Sequence, residues 1–493
     1  MSTNVPLEAK SQEESQALRS LLSRKSISTQ EFFEKTWQQQ AVVFPFSDGS
    51  RTVLSPLSGG DGSWNDQRMQ ESPLEEIVHQ GWHVLTNILS QAQDEQSTSD
   101  KDGDATAAES RHPLIFQNRE LQHPDHLQST YGSSLFAPYL DGCSVVLNHG
   151  DLLSPWIAAL CQDLQKSFPH AYANTYLTPP NSQAVPPHAD DRDVLVLQLV
   201  GSKVWTVYET VPIPYPYPHE QVGKEGIPVP PQVTKGPVAV SVTLQPGDVL
   251  YMPRGYVHEA HCQDNLSFHL TVALATHDWT LAGIMSQATD KILTRVVDFR
   301  KSIIPQQVNN NSKAHLQSQL NLAMSMLQEQ ITAETILTNL NAKLDNHNRR
   351  AFSLRMSLIH KARFPTVDVN NNNNNNIKDV VVVGPEASKN ITFATVVRAA
   401  TADERAQVMD TTSGPRGLNV REETGDAIMG IVQTMKADSS LKCRVIDLRS
   451  LLLPPTAAVT NNMSLQLVCD LSLLSLAKRC VELGAFAIVH DKE

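Results

Sequence analysis

The feature that most constrains the fold is a series of short β-rich segments between Ala173 and Ala275. Proline and glycine separate the segments, which read NTYLTPP, DVLVLQLVG, KVWTVYE, VAVSVTLQPGD, VLYMPRG and LSFHLTVALAT. Short strands separated by such turns are typical of an antiparallel sandwich or barrel. Because helical patterns precede and follow these segments, the sequence predicts a mixed α+β chain with a β-barrel at its centre.

The last of these segments indicates which side of its strand faces the interior. Three of its residues, His269, Thr271 and Ala273, alternate with apolar ones, namely Phe268, Leu270, Val272 and Leu274. Successive side chains of a strand point to opposite faces of the sheet. We therefore expect the apolar face to pack in the core and the face with His269 and Thr271 to line a cavity.

Two helices are predicted before the β-rich region. Ser28 and Glu31 form a capping-box pattern at the start of a short amphipathic helix, and a strand, AVVF, follows it. The stretch HGDLLSPWIAALCQDLQKSF predicts the second helix, with an apolar face made of Leu153, Ile157, Leu160 and Leu164. Residues 1–27 are predicted to be a flexible tail, and the polar residues 91–112 a disordered insert.

The C-terminal half is predicted to be helical and then mixed. Apolar residues recur at helical spacing after the barrel, namely Leu316, Leu320, Ala323, Leu327, Ile331, Ile336, Leu340 and Leu344. This face either packs within its own chain or mediates dimerisation. The homopolymeric tract Asn370–Asn376 is typical of a linker, and a helix that stops at Gly484 before a short strand is compatible with a winged helix.

Length and composition limit the class of protein. A chain of 493 residues is expected to form two or three domains. The polar start MSTNVPLEAKSQEES predicts no secretory signal, and the six cysteines, without a CxxC pair, predict reduced thiols in an intracellular protein. A formal net charge of −12 argues against broad nucleic-acid binding. It suits a small-molecule site or a basic partner such as a ribosomal protein or a histone.

One short motif, His188-Ala189-Asp190, opens the segment DVLVLQLVG. Residues i and i+2 of a strand project to the same face, so this imidazole and this carboxylate can grip one ion. The chain also contains His123-Pro124-Asp125, which no barrel-like segment follows. We interpret that second copy as a solvated turn.

A further histidine and a lysine complete the pattern. His258 follows a Gly-Asp turn, a strand and a Pro-Arg-Gly turn, and Lys203 lies on a strand between the two histidine positions. Two histidines and one carboxylate bind one face of Fe(II) and leave three positions open. A lysine in the same cavity supplies a cation for the far end of a dicarboxylate. The alternative without metal binding is that His188, Asp190 and His258 are hydrogen-bonded polar residues of the core.

These residues carry a resemblance to a known family. NTYLTPPNSQAVPPHADDRDVLVLQLVGSKVWTVY together with LQPGDVLYMPRGYVHEA resembles the JmjC-type ribosomal oxygenases. FFEKTWQQQAVVF and FRKSIIP are also similar, whereas the last third is similar in layout only. The resemblance implies a double-stranded β-helix of the cupin-like jelly-roll type, followed by a helical dimerisation region and a winged-helix-like domain.

The resemblance also implies roles for individual residues. His188, Asp190 and His258 would ligate Fe(II), and Lys203 with Tyr176 would hold the distal carboxylate of 2-oxoglutarate. Asn174 and Thr271 would line the co-substrate pocket, and dioxygen would be the second co-substrate. Asp191, the second acid of HADD, is a rival ligand, but alternation directs it to the opposite face. Ala189 stands where relatives often carry an aromatic residue.

The implied activity is hydroxylation of a ribosomal-protein side chain, histidyl or arginyl, with the histidyl branch favoured. Histone lysine demethylation by the same chemistry is the second hypothesis. A non-catalytic cupin-fold scaffold of ribosomal particles or chromatin is a third, and a cupin enzyme holding another metal a fourth. The presence of all three ligands and Lys203 disfavours the scaffold.

The predicted boundaries follow from these segments. The catalytic domain is expected over residues 28–276, the helical region over 277–365, the Asn-rich linker over 366–377 and the winged-helix-like domain over 378–493. A homodimer, nuclear or nucleolar localisation (with the cytoplasm as the alternative) and histone tails as a further candidate partner rest on the resemblance. The last helix carries only Lys478 and Arg479 as basic residues, which argues against direct nucleic-acid binding.

Overall fold

The structure is a computed structural model. It describes the following residues: 13–46, 62–99, 113–131, 135–224, 226–276, 279–302, 310–363, 379–382, 391, 395–400, 435, 442–448, 463–482 and 486–491.

Two antiparallel sheets form the centre of the fold, as the short β-rich segments predict. The larger sheet contains, in spatial order, β1 (Val42–Phe44), β9 (Val249–Met252), β6 (Arg192–Gly201), β11 (Ser267–Thr276), β5 (Tyr172–Thr178), β4 (Ser144–Leu147), β2 (Leu114–Gln117) and β3 (Glu120–Leu121). The smaller sheet contains β10 (His258–His261), β7 (Lys203–Tyr208) and β8 (Val238–Leu244). Apolar side chains from both sheets share one buried cluster, so the sheets face each other.

The alternation predicted for the last segment is confirmed in β11. Its apolar residues are buried in the main core, which they share with the helices outside the larger sheet; these residues are Phe268, Leu270, Val272 and Leu274. His269, Thr271 and Ala273 line a cavity between the sheets. The period of two therefore separates the core side from the site side of the same strand.

Helices cover the outer side of the larger sheet and the ends of its strands. They are α1 (Gln16–Ser23), α2 (Thr29–Lys35), α3 (Asp66–Glu71), α4 (Pro73–His79), α5 (Gly81–Ser99), α6 (Pro124–Tyr131), α7 (Phe136–Leu140) and α8 (Pro155–Leu164). A four-residue helix, α9 (Pro231–Thr234), precedes β8. The Ser28 side chain accepts a hydrogen bond from the Glu31 amide at the start of α2, as the capping pattern predicts.

The prediction of a flexible tail over residues 1–27 is wrong from Ser15 onward. Ala17, Leu18, Leu21 and Leu22 of α1 are buried in the main core. The Ser15 hydroxyl donates to the Asp163 carboxylate at 2.7 Å, which attaches the start of α1 to α8. The apolar face of this short amphipathic segment is surrounded by polar residues, so the composition of residues 1–27 did not predict a helix.

The predicted disordered insert over residues 91–112 is wrong at its start. Helix α5 continues through residues 91–99, whereas residues 100–112 lie outside the described residues. Ala, Gln and Glu are good helix formers, and the preceding turns of α5 bury Leu85, Ile88 and Leu89. An anchored helix can therefore extend into a polar sequence that would not nucleate one.

In the described residues, three helices follow the barrel, and the apolar spacing predicts the second and third. They are α10 (Leu281–Leu293), α11 (Asn310–Gln330) and α12 (Ala333–Arg363). Leu316 and Leu320 remain 39% and 50% exposed, so the start of the predicted apolar face does not pack within its own chain. The other residues of that face are partly buried.

Arg355 attaches the long helix α12 to the barrel through a buried ion pair. Its Nη2 lies 2.7 Å from Oδ2 of Asp151, and the two side chains are 1% and 2% exposed. Arg355 also donates to the Gln165 side chain and to the carbonyl oxygen of Ala171. The other oxygen of Asp151 accepts from the backbone amide of Ala173 in β5, at 3.1 Å. This ion pair therefore links α12 to the strand that carries Asn174 and Tyr176.

In the described residues beyond 378, four strands and a long helix form a smaller unit. The strands β12 (Asp379–Val382), β15 (Phe486–Asp491), β13 (Val396–Ala399) and β14 (Cys443–Arg444) form an antiparallel sheet in that order. Helix α13 (Met463–Glu482) packs on α5, where the Trp82 indole donates to Asp470 at 2.8 Å. The predicted helix and following strand are confirmed, and the winged-helix assignment stays a prediction. Within the described ranges, no helix has the length and apolar character needed to cross a membrane.

We predict that Arg355→Leu lowers the free energy of unfolding by about 3–5 kcal/mol, because it leaves the buried Asp151 carboxylate without its cation. Urea denaturation followed by circular dichroism measures the change. Arg295→Leu, at an exposed position of the same helical region, is the control and should have little effect. A loss of under about 1 kcal/mol for Arg355→Leu would contradict the assigned role of the ion pair.

Candidate metal centre

Two histidines face each other because their backbones pair. The amide of His188 donates to the carbonyl of His258 at 3.1 Å, and the amide of His258 donates to the carbonyl of His188 at 2.9 Å. This antiparallel bridge holds the two ring centroids 4.4 Å apart. The bridge lies just before β6, so the His188 motif precedes that strand instead of forming its first residues.

Backbone carbonyls fix the orientation of both rings. Nδ1 of His188 lies 2.8 Å from the carbonyl oxygen of Pro186, and Nδ1 of His258 lies 3.1 Å from that of Tyr256. A carbonyl oxygen can only accept, so each Nδ1 carries the proton and donates. In a neutral ring the lone pair is then on Nε2, the atom directed toward the other two ligands. This orientation is the one that metal-binding histidines usually show.

Asp190 completes a compact donor set. Its Oδ1 lies 3.7 Å from Nε2 of His188, and its Oδ2 lies 3.8 Å from Nε2 of His258. One ligand atom from each residue falls within a group whose members are no more than 4.8 Å apart. The side chains of His188, Asp190 and His258 are only 12%, 18% and 6% exposed. The arrangement is that of three ligands on one face of an ion.

Burial and nearby charges set the protonation states of the three groups. Burial, helped by the charge of Lys224, lowers the pKa of His188 to about 3. Burial also lowers the pKa of His258. Burial alone would raise the pKa of Asp190, but the Lys224 charge, the two neighbouring histidines and the hydrogen bond from Lys224 together outweigh it and hold that pKa below its ordinary value. The site therefore presents two neutral imidazoles and one carboxylate at neutral pH, the forms that bind a divalent metal.

The two other candidate motifs are not part of this group. Asp191 is buried, and its Oδ1 accepts from Nε of Arg192 at 2.8 Å, so Asp190 meets the histidines, as alternation predicts. His123 and Asp125 lie at the exposed start of α6, where their side chains are 74% and 94% exposed. The second motif is therefore solvated, as interpreted, but it begins a helix and does not form a turn.

A cavity of about 510 Å³ between the sheets brings all the predicted site residues together. Beside the three ligands, its walls contain Asn174, Tyr176, Lys203 and Thr271. The strand register explains this arrangement, because Thr271 of β11 lies opposite Asn174 of β5, and the Asn174 side chain accepts from the His149 amide at 3.1 Å.

Lys203 is a buried cation on the wall opposite β5. Its Nζ donates to the hydroxyl of Thr178 at 2.9 Å, and burial lowers its pKa. In the part of the chain that the structure describes, no carboxylate forms an ion pair with Lys203. Burying a charge without a partner is costly, so an anionic ligand in this cavity would be stabilised.

Tyr176 and His269 form a stacked pair beside Lys203. They lie opposite each other on β5 and β11, with ring centroids 4.8 Å apart and planes within 5°. Burial raises the pKa of Tyr176, which keeps its hydroxyl as a donor. Burial and the Lys203 charge hold the pKa of His269 well below its ordinary value, and Nδ1 of His269 has no hydrogen-bond partner among the described residues.

Sequence reasoning did not identify Lys224, whose Nζ lies 2.6 Å from Oδ1 of Asp190. The lysine belongs to the proline-rich segment between β7 and β8, which has no periodic pattern that places its side chains. The Gly-Lys pair at 223–224 is the only local signal, and it is too common to identify a site.

Comparison with known proteins agrees with the geometry. Residues 154–281, which include all three ligands, match the JmjC domain family. This part of the chain is therefore similar to a JmjC domain, and the similarity extends to particular oxygenases. It is 36% identical to ribosomal oxygenase 1 of Rattus norvegicus over 170 residues, which cover 34% of this chain and 28% of that protein. It is also 36% identical to ribosomal oxygenase 1 of Homo sapiens over 210 residues, which cover 38% of this chain and 32% of that protein.

Two other relatives extend the comparison. The bifunctional lysine-specific demethylase and histidyl-hydroxylase NO66 of Dictyostelium discoideum is 32% identical over 178 residues, which cover 35% of this chain and 34% of that protein. The alignments thus span about a third of the length of these curated relatives. Escherichia coli ribosomal oxygenase YcfD aligns with 94% of this chain and 98% of its own at a TM-score of 0.32 and 15% identity, which is too low to support an argument.

We predict that His269→Phe makes the protein less sensitive to acid. The neutral folded-state ring has a depressed pKa, so the unfolded chain binds a proton below about pH 6.5 that the folded chain does not. The free energy of unfolding that depends on the neutral ring is therefore fully present above the unfolded-state pKa and is lost as the pH falls below it. As the pH falls through this range, the free energy of unfolding should decrease faster in the wild type than in the variant, by about 1.4 kcal/mol per pH unit.

Urea titrations at a series of pH values measure this difference. The phenylalanine ring keeps the contact with Tyr176, and His123→Phe at the exposed start of α6 serves as the control. Parallel pH profiles for wild type and His269→Phe would contradict a buried neutral imidazole at this position.

Proposed function

We propose that this protein is a 2-oxoglutarate- and Fe(II)-dependent dioxygenase that hydroxylates a ribosomal-protein side chain, with histidine as the favoured target. The observation that carries the proposal is the pairing of two features in one cavity. Two neutral histidines and a carboxylate converge there, and a buried lysine without a carboxylate partner in the described chain faces the same space.

The donor set suits Fe(II). Two imidazole nitrogens and one carboxylate on one face of an ion are typical of non-haem iron oxygenases and leave coordination positions for co-substrate and dioxygen. His188, Asp190 and His258 would hold the metal, with Nε2 as the donor of each imidazole. When bound, Fe(II) and 2-oxoglutarate supply the oxidation, in which dioxygen is consumed and succinate and carbon dioxide are released.

The remaining cavity residues would bind and orient the co-substrate. Lys203 provides the charge and Tyr176 a hydroxyl donor for its distal carboxylate, and their burial strengthens both interactions. Asn174 and Thr271 lie opposite each other on β5 and β11 and line the same cavity wall as Tyr176. The apolar residues Val194, Val196 and Met252 exclude water from the cavity wall.

A ribosomal-protein substrate is supported by the names of the relatives and by charge. Ribosomal proteins are basic, and a chain with a net charge of −12 would attract them. Lysine demethylation is the second candidate, because relatives named NO66 are described as bifunctional demethylases and histidyl-hydroxylases. A non-catalytic scaffold is disfavoured by the complete ligand set together with Lys203.

The other regions would support this activity. We propose that helices α10–α12 mediate homodimerisation and that the unit beyond residue 378 is a winged-helix-like protein-contact module. The predicted linker, residues 366–377, lies outside the described residues. Nuclear or nucleolar localisation belongs to the same proposal, with the cytoplasm as the alternative. The dimer is supported by the apolar exposure on one face of α11, where Leu316, Leu320 and Met324 are spaced four residues apart and are exposed.

Succinate release and peptide mass test the catalytic proposal together. The full-length protein with Fe(II), 2-oxoglutarate and air is incubated with ribosomal proteins and methylated histone peptides, and His188→Ala is run in parallel. We expect hydroxylation, a gain of one oxygen atom, on a ribosomal protein in the wild type only. Loss of a methyl group from a histone lysine would favour the demethylase instead, and absence of both activities with normal folding would contradict the proposal.

We predict that Leu320→Glu shifts the protein from dimer to monomer, because the carboxylate would be desolvated in an apolar interface. Sedimentation equilibrium measures the mass, and Gln317→Glu, an exposed polar position on the same helix, is the matched control. A monomeric wild type, or a dimer unaffected by Leu320→Glu, would contradict dimerisation through this face.

A further inference from the structure

Lys224 lies at the rim of the cavity and contacts a proposed metal ligand directly. Its Nζ is 2.6 Å from Oδ1 of Asp190, and its side chain is 34% exposed, so it is reached from the cavity and from solvent. Oδ2 of the same carboxylate is directed toward His258, at 3.8 Å from its Nε2. The lysine therefore holds the oxygen that faces His188 and leaves the other oxygen facing His258.

The loop that carries Lys224 is built against the ligand segment. The amide of Ala189 donates to the carbonyl of Val222 at 2.8 Å. Gly223 has a φ of +83°, and a Cβ there would lie 2.4 Å from the carbonyl oxygen of Pro187, which only glycine avoids. The amide of Lys224 donates to the carbonyl of Gln221 at 3.0 Å. The position of Lys224 is thus fixed by backbone contacts on both sides.

Among the groups at the metal, Lys224 carries the charge that the ligands and the co-substrate do not balance. Resting on the proposed function, the divalent metal and Lys203 would together balance the Asp190 carboxylate and the dianionic co-substrate. Of the other charged residues in the lining, Arg192 is neutralised by Asp191, at 2.8 Å, and Glu259 accepts from the Tyr208 hydroxyl at 2.6 Å. Among the described residues, Glu259 forms no ion pair with Lys224. Lys224 then adds one positive charge next to the metal.

We propose that Lys224 is a specificity-determining residue that excludes cationic side chains from the metal centre. A protonated arginine or a methylated lysine would approach the ammonium in a partly desolvated cavity, where like charges repel strongly. An uncharged side chain, such as neutral histidine, carries no such cost. The site would therefore select a ribosomal-protein residue that enters without a charge, and it would disfavour demethylation of lysine.

Charge-changing variants test this inference. Extracted ribosomal proteins and methylated histone peptides are treated with wild type, Lys224→Met, Lys224→Arg and Lys235→Met, and mass spectrometry records which residue types gain oxygen or lose methyl groups. Lys235 is an exposed lysine in the same segment but outside the cavity wall, so it controls for net charge. We expect wild type, Lys224→Arg and Lys235→Met to modify uncharged residues only. Lys224→Met should also modify arginine or methyl-lysine.

The same preference is measured without turnover on the Mn(II)-substituted protein with 2-oxoglutarate. Fluorescence anisotropy compares the modified ribosomal peptide carrying either a neutral or a cationic residue at its target position. The ratio of the two dissociation constants cancels any effect of Lys224 on the metal ligand itself. Lys224→Met should shift this ratio toward the cationic peptide by about tenfold, whereas Lys224→Arg should not.

Two results would overturn the inference. One is modification of arginine or methyl-lysine by the wild type, and the other is an unchanged ratio in Lys224→Met. Failure of the proposed function itself is distinguishable, because the wild type would then bind neither Mn(II) with 2-oxoglutarate nor any peptide, and no residue would be modified.

Discussion

The backbone pairing of His188 with His258 is the interaction on which the site depends. Two hydrogen bonds join segments that are far apart in the sequence and place both imidazoles side by side. The carbonyls of Pro186 and Tyr256 then orient the rings so that each Nε2 faces Asp190. The metal ligands are thus preorganised by main-chain contacts, which side-chain substitutions elsewhere in the cavity would leave in place.

The two sheets supply everything else that the chemistry needs. β5 and β11 place Tyr176, His269, Asn174 and Thr271 on one wall, and β7 places Lys203 on the other. Burial sets the charges in the cavity, because it keeps the imidazoles of His188 and His258 neutral. In the described chain, the buried ammonium of Lys203 has no carboxylate partner. A dianionic co-substrate therefore finds a cation and a hydroxyl donor at one end of the cavity and a metal site at the other.

Periodicity and motif spacing in the sequence predicted the cavity-facing side of β11 and the three metal-ligand candidates. Alternation in β11 separated Phe268 and Leu270 from the cavity residue His269, and the same rule chose Asp190 over Asp191. Contacts between distant segments could not be predicted in this way. Arg355 reaches Asp151 across 204 positions of the chain, and nothing in its helix distinguishes it from a solvated arginine.

The remaining errors have local causes. Lys224 was missed because irregular backbone, with Gly223 in a left-handed conformation, sets its direction. Helix α1 was missed because its apolar residues occupy only two turns within a polar stretch. In both cases tertiary contacts determine the structure, and the local pattern is too short to show it.

The most direct test of the central claim is anaerobic titration of the full-length protein with Fe(II) and 2-oxoglutarate. The visible charge-transfer absorption of a 2-oxo acid chelated to Fe(II) is recorded. The account predicts that the band appears only when both are present, is lost in His188→Ala, and requires more 2-oxoglutarate in Lys203→Met. Absence of the band in the wild type, or its persistence in His188→Ala, would contradict the assignment of His188, Asp190 and His258 as the iron site.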